Sequence, residues 1–218
     1  MRLYSGSEGD PAGLAEVRAR GMGVLITAAD WRTPKPGIPW ALDNGAFSTW
    51  QAALREGRGV WDFDAGAFAK ALKKVPVTHR PDFGVVPDIP AQGERSFRES
   101  FYWLRGFGRP TLPGGWPWYF AVQDDMTEAH LAEVASLVAG VFIGGSPAWK
   151  VKNAERFARA GRELGLKVHL ARAGTVEMLK LAERIGADSA DSSSWAQNDS
   201  YGLIDDAKAQ RTLGGVVS

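Results

Sequence analysis

Short apolar or β-branched runs alternate with stretches of helical spacing about eight times along this chain, and that alternation constrains the fold more than any other feature. The runs are Arg2–Tyr4, Gly23–Thr27, Pro39–Leu42, Phe83–Pro87, Trp118–Val122, Val141–Ile143, Lys167–Leu170 and Ala187–Ala190, the first carrying the weakest pattern. Helical stretches lie between them at Gly13–Arg20, Phe97–Arg105, Glu128–Val138, Val151–Leu164 and Val176–Ile185. In the fourth, Val151, Ala154, Phe157, Gly161 and Leu164 share one face, while Lys152, Arg156, Arg159 and Arg162 lie mostly away from it. Thr175 is placed to cap the fifth, with Glu177 in its first turn, where the helix dipole favours an anion. Each pair of parallel neighbours needs a crossover, so the alternation predicts a parallel sheet of the α/β class. Eight units predict a compact, closed (β/α)8 TIM barrel, with an open doubly wound sheet as the alternative.

The chain of 218 residues is short for a barrel of typically about 250, so some helices must be short or missing. No fixed-period repeat, low-complexity tract or long linker interrupts it, and residues 1–218 read as a single domain. The Pro- and Gly-rich stretch Arg105–Trp118 reads as a loop inside that domain and a candidate lid. With 44% hydrophobic and 11% aromatic residues the chain can bury a core, which excludes disorder and a collagen-like repeat. No apolar run approaches the roughly 18–20 residues of a membrane span, and the first residues lack an apolar signal core. These features predict a soluble, cytoplasmic protein with no membrane partner.

Charge and cysteine content exclude further classes. The 26 Lys and Arg against 25 Asp and Glu leave a formal +1, so nucleic acid could be gripped only by a local basic patch, not by a chain-wide field. The absence of Cys removes every disulfide and thiolate zinc site, and three widely spaced His residues (His79, His130, His169) point away from a structural metal.

Several apolar runs end in polar or glycine-rich motifs, at the strand ends where barrel enzymes build their sites. The third runs into Asp43 and Asn44, the fourth into Asp88, the fifth into Gln123 and Asp124, the sixth into Gly144, Gly145 and Ser146, and the eighth into Asp188 and Asp191. Acids on neighbouring strand ends have two chemical uses. One is chelation of a metal by carboxylates; the other is covalent acid–base chemistry at a sugar carbon, with one carboxylate as nucleophile and another moving a proton.

These motifs resemble, in the same order, those of the tRNA-guanine transglycosylase (queuine tRNA-ribosyltransferase) superfamily. The segment Asp43-Asn44-Gly45-Ala46-Phe47 resembles its Asp-small-Gly-small-aromatic motif, VVPDIP around Asp88 its base-binding Asp, Val122-Gln123-Asp124 its VQG motif, and Gly144-Gly145 its glycine pair. The densest match is HLARAGTVEMLKLAERIGADSADSSS, which follows a GT-x-E turn, a helix and G-x-D-x-x-D. The resemblance implies a TIM barrel that exchanges guanine for a 7-deazaguanine base through an aspartyl intermediate. It implies that Asp191 is the nucleophile, Asp43 the general acid/base, and Asp188 the acid three residues before the nucleophile. It further implies that Phe47 stacks on the base, that Asp88 accepts from the base's N1 and amino group, and that Gln123 and the Gly144 and Gly145 amides hold its carbonyl. No metal or redox cofactor is implied.

The departures from the pattern are equally informative. The chain continues only 27 residues beyond Asp191, without Cys, so the family's zinc subdomain is lacking; Ser192-Ser193-Ser194-Trp195 replaces its Pro-Thr-Arg segment. Ala171 stands where the family has a base-stacking Met. This pared-down form is similar to the short phage-type enzymes that place 7-deazaguanine derivatives, such as the nitrile-bearing queuosine precursor preQ0, in DNA. The partners implied are guanine-containing DNA, a small 7-deazaguanine base and, where the barrel does not act alone, a partner protein. Arg172, Lys150 and Lys152 are the candidate contacts to phosphate.

Each residue also has a plainer use. Asp-Asn-Gly is a strong turn signal by itself, Asp88 between prolines could cap a helix, and Asp188 and Asp191 could be loop acids. Gly144 and Gly145 could form only a tight turn, and His169 could be a satisfied barrel residue. Trp149 and Trp195 could line a groove or serve as packing anchors. Other functional classes are a catalytically silent binding subunit, a metal-dependent barrel hydrolase or lyase using Asp43, Asp88 and Asp191, and, on the glycine pair alone, a phosphosugar isomerase.

Overall fold

The computed structural model describes residues 1–6, 11–58 and 61–207. Eight parallel strands close into a barrel in chain order: β1 (Arg2–Gly6), β2 (Gly23–Thr27), β3 (Trp40–Asp43), β4 (Gly84–Val85), β5 (Trp118–Val122), β6 (Gly140–Ile143), β7 (Lys167–Leu170) and β8 (Ser189–Ser192). Closure is made by β1 on β8, where Tyr4 pairs with Asp191. The helices that frame the barrel among the described residues include α1 (Pro11–Ala19), α2 (Ala46–Arg55), α3 (Ala65–Lys74), α4 (Gly93–Arg105), α5 (Glu128–Val134), α6 (Pro147–Glu163), α7 (Val176–Arg184) and the short α8 (Ser194–Gln197). The barrel expected from the alternation is therefore the fold, and the open sheet is not.

The chain saves length where the crossover between β2 and β3 carries only a 3-10 turn, Ala28–Asp30. Two helices that the apolar pattern did not single out, α2 and α3, follow β3 instead. Helix α6 starts four residues earlier than its apolar face indicated, because Ser146 caps it and Pro147 sits in its first turn, where a missing N–H costs nothing. Thr175 caps α7 as expected, accepting from the Met178 amide at 3.3 Å. Strand β4 keeps only two residues of the expected five, and β8 begins at Ser189 rather than Ala187.

Alternation along the strands sends Tyr4, Leu25, Ala41, Phe83, Val85, Tyr119, Ala121, Phe142 and Ala171 to the barrel interior, apart from the larger core between strands and helices. Phe83 and Tyr119 stack there at 4.3 Å and nearly parallel. Large rings fit because glycines face them across the ladder: Tyr4 pairs with Gly23 and Tyr119 with Gly140. Smaller residues, Ala41, Ala121 and Ala171, lie nearer the strands' C-terminal ends.

Two expectations fall at the wrong end of the barrel. Asp188 precedes β8, at the N-terminal face, where its Oδ2 accepts from the Val168 amide and its Oδ1 from Lys167 Nζ, each at 2.9 Å. Asp191 lies three residues on, about 10 Å along the strand, so Asp188 ties β7 to β8 and does not share its site. The loop from Arg105 to Trp118 enters β5 rather than leaving a strand, so it too lies at the N-terminal face and is no lid over the opposite mouth. It is tied down by the Arg109–Glu99 pair at 2.6 Å and by Trp118 Nε1 donating to the Pro113 carbonyl at 3.1 Å. Among the described residues no helix is long and apolar enough to cross a membrane.

The glycine–aromatic pairing is open to direct measurement. A Cβ at Gly140 would lie 2.6 Å from the Tyr119 ring, which cannot yield because it is stacked on Phe83. Gly140→Ala should therefore lower the unfolding free energy by about 1–3 kcal/mol in denaturant titrations. Gly114→Ala, where nothing lies within 4 Å, should stay within about 0.5 kcal/mol of wild type.

Candidate active site

The same alternation that fills the interior lifts Asp43 above Ala41, Gln123 above Ala121 and Asp191 above Ser189, all at the C-terminal mouth. Asp43 closes β3, and its Oδ1 accepts from the Gly45 amide at 2.6 Å, while Asn44 Oδ1 accepts from the Ala46 amide at 2.8 Å. Gly45 has φ +83°, and a Cβ there would come within 2.9 Å of the Ala29 backbone nitrogen. The Asp-Asn-Gly turn is thus real and also carries the site.

From this turn a chain of hydrogen bonds crosses four strand ends. Asn44 Nδ2 donates to the Val86 carbonyl at 2.8 Å and to Asp88 Oδ1 at 2.7 Å; Gln123 Nε2 donates to Asp88 Oδ2; Gln123 Oε1 accepts from the Gly145 amide at 3.0 Å. Asp124 receives the Ser146 amide at 2.7 Å and its hydroxyl at 2.6 Å. Asp88 does not cap α4, whose N-cap is Gln92. Burial pushes the Asp88 carboxyl up to about 6, although the Asn44 and Gln123 donors favour its charged form.

Asp191 is supported from below and from the side. His169, fully buried, stacks on Phe142 at 4.7 Å and places Nε2 2.9 Å from Asp191 Oδ1, with Nδ1 2.8 Å from the Ser189 hydroxyl. If Nε2 carries the proton, Ser189 donates to Nδ1. The Arg172 amide also reaches Asp191 Oδ1, at 3.3 Å. Arg172 itself has φ +55°; its guanidinium lies 3.9 Å from the centre of the Phe47 ring and donates to the Gly145 carbonyl.

The charges at the mouth are unequal. Burial pushes the Asp43 carboxyl up to about 7, opposed by its bond to the Gly45 amide and reinforced by the neighbouring Asp191 and Asp88; Arg172 pulls the other way. The guanidinium of Arg172 lies in the combined field of Asp191, Asp43, Asp124 and Asp88. Among the described residues no three His, Asp or Glu side chains converge as metal ligands. The acids of the mouth surround an arginine.

The structure brings together Asp43, Asn44, Phe47, Asp88, Gln123, Gly144, Gly145, Arg172 and Asp191, and leaves Asp188 outside. Three roles need correction. The Gly144 amide is spent on the Val122 carbonyl at 3.0 Å and the Gly145 amide on Gln123, so neither is open to a ligand carbonyl in this arrangement. Lys150 is 2% exposed and donates to the Ala171 carbonyl, which removes it from any phosphate-binding surface. Arg172 is turned into the mouth rather than outward. Lys152 is exposed and lines a groove with Trp149, Asn153 and Arg156, whereas Trp195 is fully buried. His169 as the partner of Asp191, and the Asp124–Ser146 pair, were not singled out in the sequence. The signal for His169 was its register, since β7 and β8 pair His169 with Ser189 and alternation then puts Asp191 on the same inner face.

No family model and no curated protein matches this chain. Its chemistry is therefore read from its own groups, beginning with the charge on Asp43. An ordinary unfolded Asp titrates near 4, and folding raises Asp43 to about 7. The stability this contributes is complete below about pH 4 and is lost as pH rises to about 7. Asp43→Asn should then match wild type at pH 4 and exceed it by about 1–3 kcal/mol at pH 8, read from unfolding curves at the two pH values.

Proposed function

We propose that this barrel is a base-exchange transglycosylase that replaces guanine in DNA with a 7-deazaguanine derivative through a covalent Asp191–deoxyribosyl intermediate. The observation that carries the reading is the division of labour between two carboxyls at one mouth. Asp43 holds a proton up to about neutral pH, and Asp191 is anchored through one oxygen by buried donors. Pairs of acids whose environments set them apart in this way serve as acid and nucleophile in retaining chemistry at an anomeric carbon.

The target nucleotide must first leave the helical stack, at a cost of a few kcal/mol. Because Oδ1 of Asp191 is bound, Oδ2 attacks C1′ while the bond from C1′ to N9 breaks and guanine leaves with the proton of Asp43. The incoming deazapurine returns its N9 proton to Asp43, and N9 attacks C1′ as the ester to Asp191 breaks. Two inversions retain configuration. Asp88, fixed by Asn44 and Gln123, would accept from N1–H and the exocyclic amine of a guanine-like base. Adenine lacks that pair of donors, and a buried carboxylate left unpaired is a strong penalty.

Arg172 now occupies the face of Phe47 on which a base would stack, so base entry requires the guanidinium to move off the ring. A cation is then still at hand for the base carbonyl, a role the occupied Gly144 and Gly145 amides do not fill. Lys152 and Arg156 beside Trp149 give the groove next to the mouth the cation-and-ring character of a nucleic-acid track.

Exchange of radiolabelled guanine into DNA and, separately, into tRNA tests the reading, with EDTA present throughout. Wild type should label DNA alone, with a rate that falls as pH rises through about 7 because Asp43 must deliver a proton. Asp191→Asn should lose at least about a thousandfold. Label in neither nucleic acid, or equal labelling by Asp191→Asn, overturns it.

A further inference from the structure

A single peptide group connects a buried lysine to the candidate nucleophile. Lys150 lies on α6 with its side chain 2% exposed, and its Nζ donates to the Ala171 carbonyl. The N–H of that same peptide belongs to Arg172 and donates to Asp191 Oδ1 at 3.3 Å. A peptide bonded at its oxygen by an amine and at its nitrogen by a carboxylate is polarised from both ends, and each bond strengthens the other in a low-dielectric interior. The arrangement is held against two local preferences. Arg172 stands in the left-handed region at φ +55°, which L side chains adopt only at a cost, and a lysine amine is kept out of water. Burial, with the nearby Arg172 guanidinium, pushes the Lys150 amine down to about 7, and Asp191 opposes that fall, which agrees with the two groups sensing one another.

We infer that Lys150 is a positioning residue that acts on Asp191 through the peptide between Ala171 and Arg172, fixing Oδ1 so that Oδ2 faces the reacting carbon. The inference rests on Asp191 being the nucleophile. The other groups facing Asp191 are His169 from β7, Arg172 just after it, and Asp43 from β3. His169 and the peptide grip the same oxygen from different sides, so neither support alone fixes the carboxylate plane. Lys150 is buried and its Nζ bonds the Ala171 backbone carbonyl, which places it behind Asp191 as a support.

The test compares wild type with Lys150→Met and with Lys150→Cys alkylated to thialysine, which restores an amine at nearly the same reach. Carbon-13 NMR of carboxyl-labelled Asp, with the Asp191 signal assigned from Asp191→Asn, follows the titration of Asp191 without any need for activity. In Lys150→Met, Asp191 should titrate about one pH unit higher, and kcat for guanine exchange should fall about tenfold with KM within about twofold. Thialysine should reverse both. Asp191 titrating alike in all three proteins overturns the inference, whatever the activity. A shifted titration in a protein that exchanges no guanine upholds the link and overturns only the transglycosylase reading. A measurement without a change at Lys150 guards against a variant that does not fold. In Asp43→Asn, which removes the carboxyl titrating near 7, the Arg172 amide resonance should move between pH 7 and 8, above the titration of Asp88 near 6, as Lys150 titrates. An amide resonance that stays fixed over that range overturns the inference.

Discussion

An eight-stranded barrel encloses a space that side chains alone must fill, and every other feature of this protein is arranged around that requirement. The lower interior is filled by rings, Phe83 on Tyr119 and His169 on Phe142, with Gly23 and Gly140 giving way to Tyr4 and Tyr119. Above them Ala41, Ala121 and Ala171 are small, and polar residues on the same strands take the next level. Period-two alternation makes the sequence of levels unavoidable: a strand that buries a small residue in the interior must present its second neighbour at the mouth. Asp43 and Asp191 are therefore held on strands, while Asn44, Asp88, Gln123 and Arg172 lie just past strand ends and are fixed by the hydrogen bonds among them.

That placement has an electrostatic cost. Asp43, Asp88, Asp124 and Asp191 share a mouth in which Asp88 and Asp191 are buried, and Arg172 is the guanidinium among them. One cation does not neutralise four carboxylates, and the remaining imbalance is met by protonation near neutrality and by N–H donors. Asp43 and Asp88 are pushed toward the neutral form, while Asp191 is given His169 and the Arg172 amide. Arg172 meets these acids from a left-handed backbone, with its guanidinium over the Phe47 ring. Carboxyls held in unequal surroundings in one small volume are what the proposed acid–base chemistry would draw on.

Some of this could be read from the order of residues and some could not. Asp43, Asn44, Asp88, Gln123 and Asp191 were legible because each ends an apolar run, and in a parallel barrel all such ends share a face. Asp188 misled because it lies within Ala187–Ala190, the run that reads as the strand. The strand starts two residues later, at Ser189, which moves Asp188 to the opposite face and Asp191 inside the sheet. The loop Arg105–Trp118 misled in the same way, since composition marks a loop but not the end of the barrel on which it lies. Lys150 on α6 and Arg172 after β7 were read as contacts to phosphate because the order of residues does not reveal when a long side chain turns inward along its own stem.

The sequence by itself determined the number and order of the strands, that some helices must be short or missing, and the end at which polar residues gather, because periodicity and turn chemistry are local. Only the tertiary structure decided which of those residues touch. The pairing of His169 with Asp191 depends on the register between β7 and β8, the bond from Lys150 to the Ala171 carbonyl on how α6 packs, and the proton on Asp43 on burial beside other acids. Register, packing and desolvation are sums over groups distant in the chain, so they come into being only when the barrel closes.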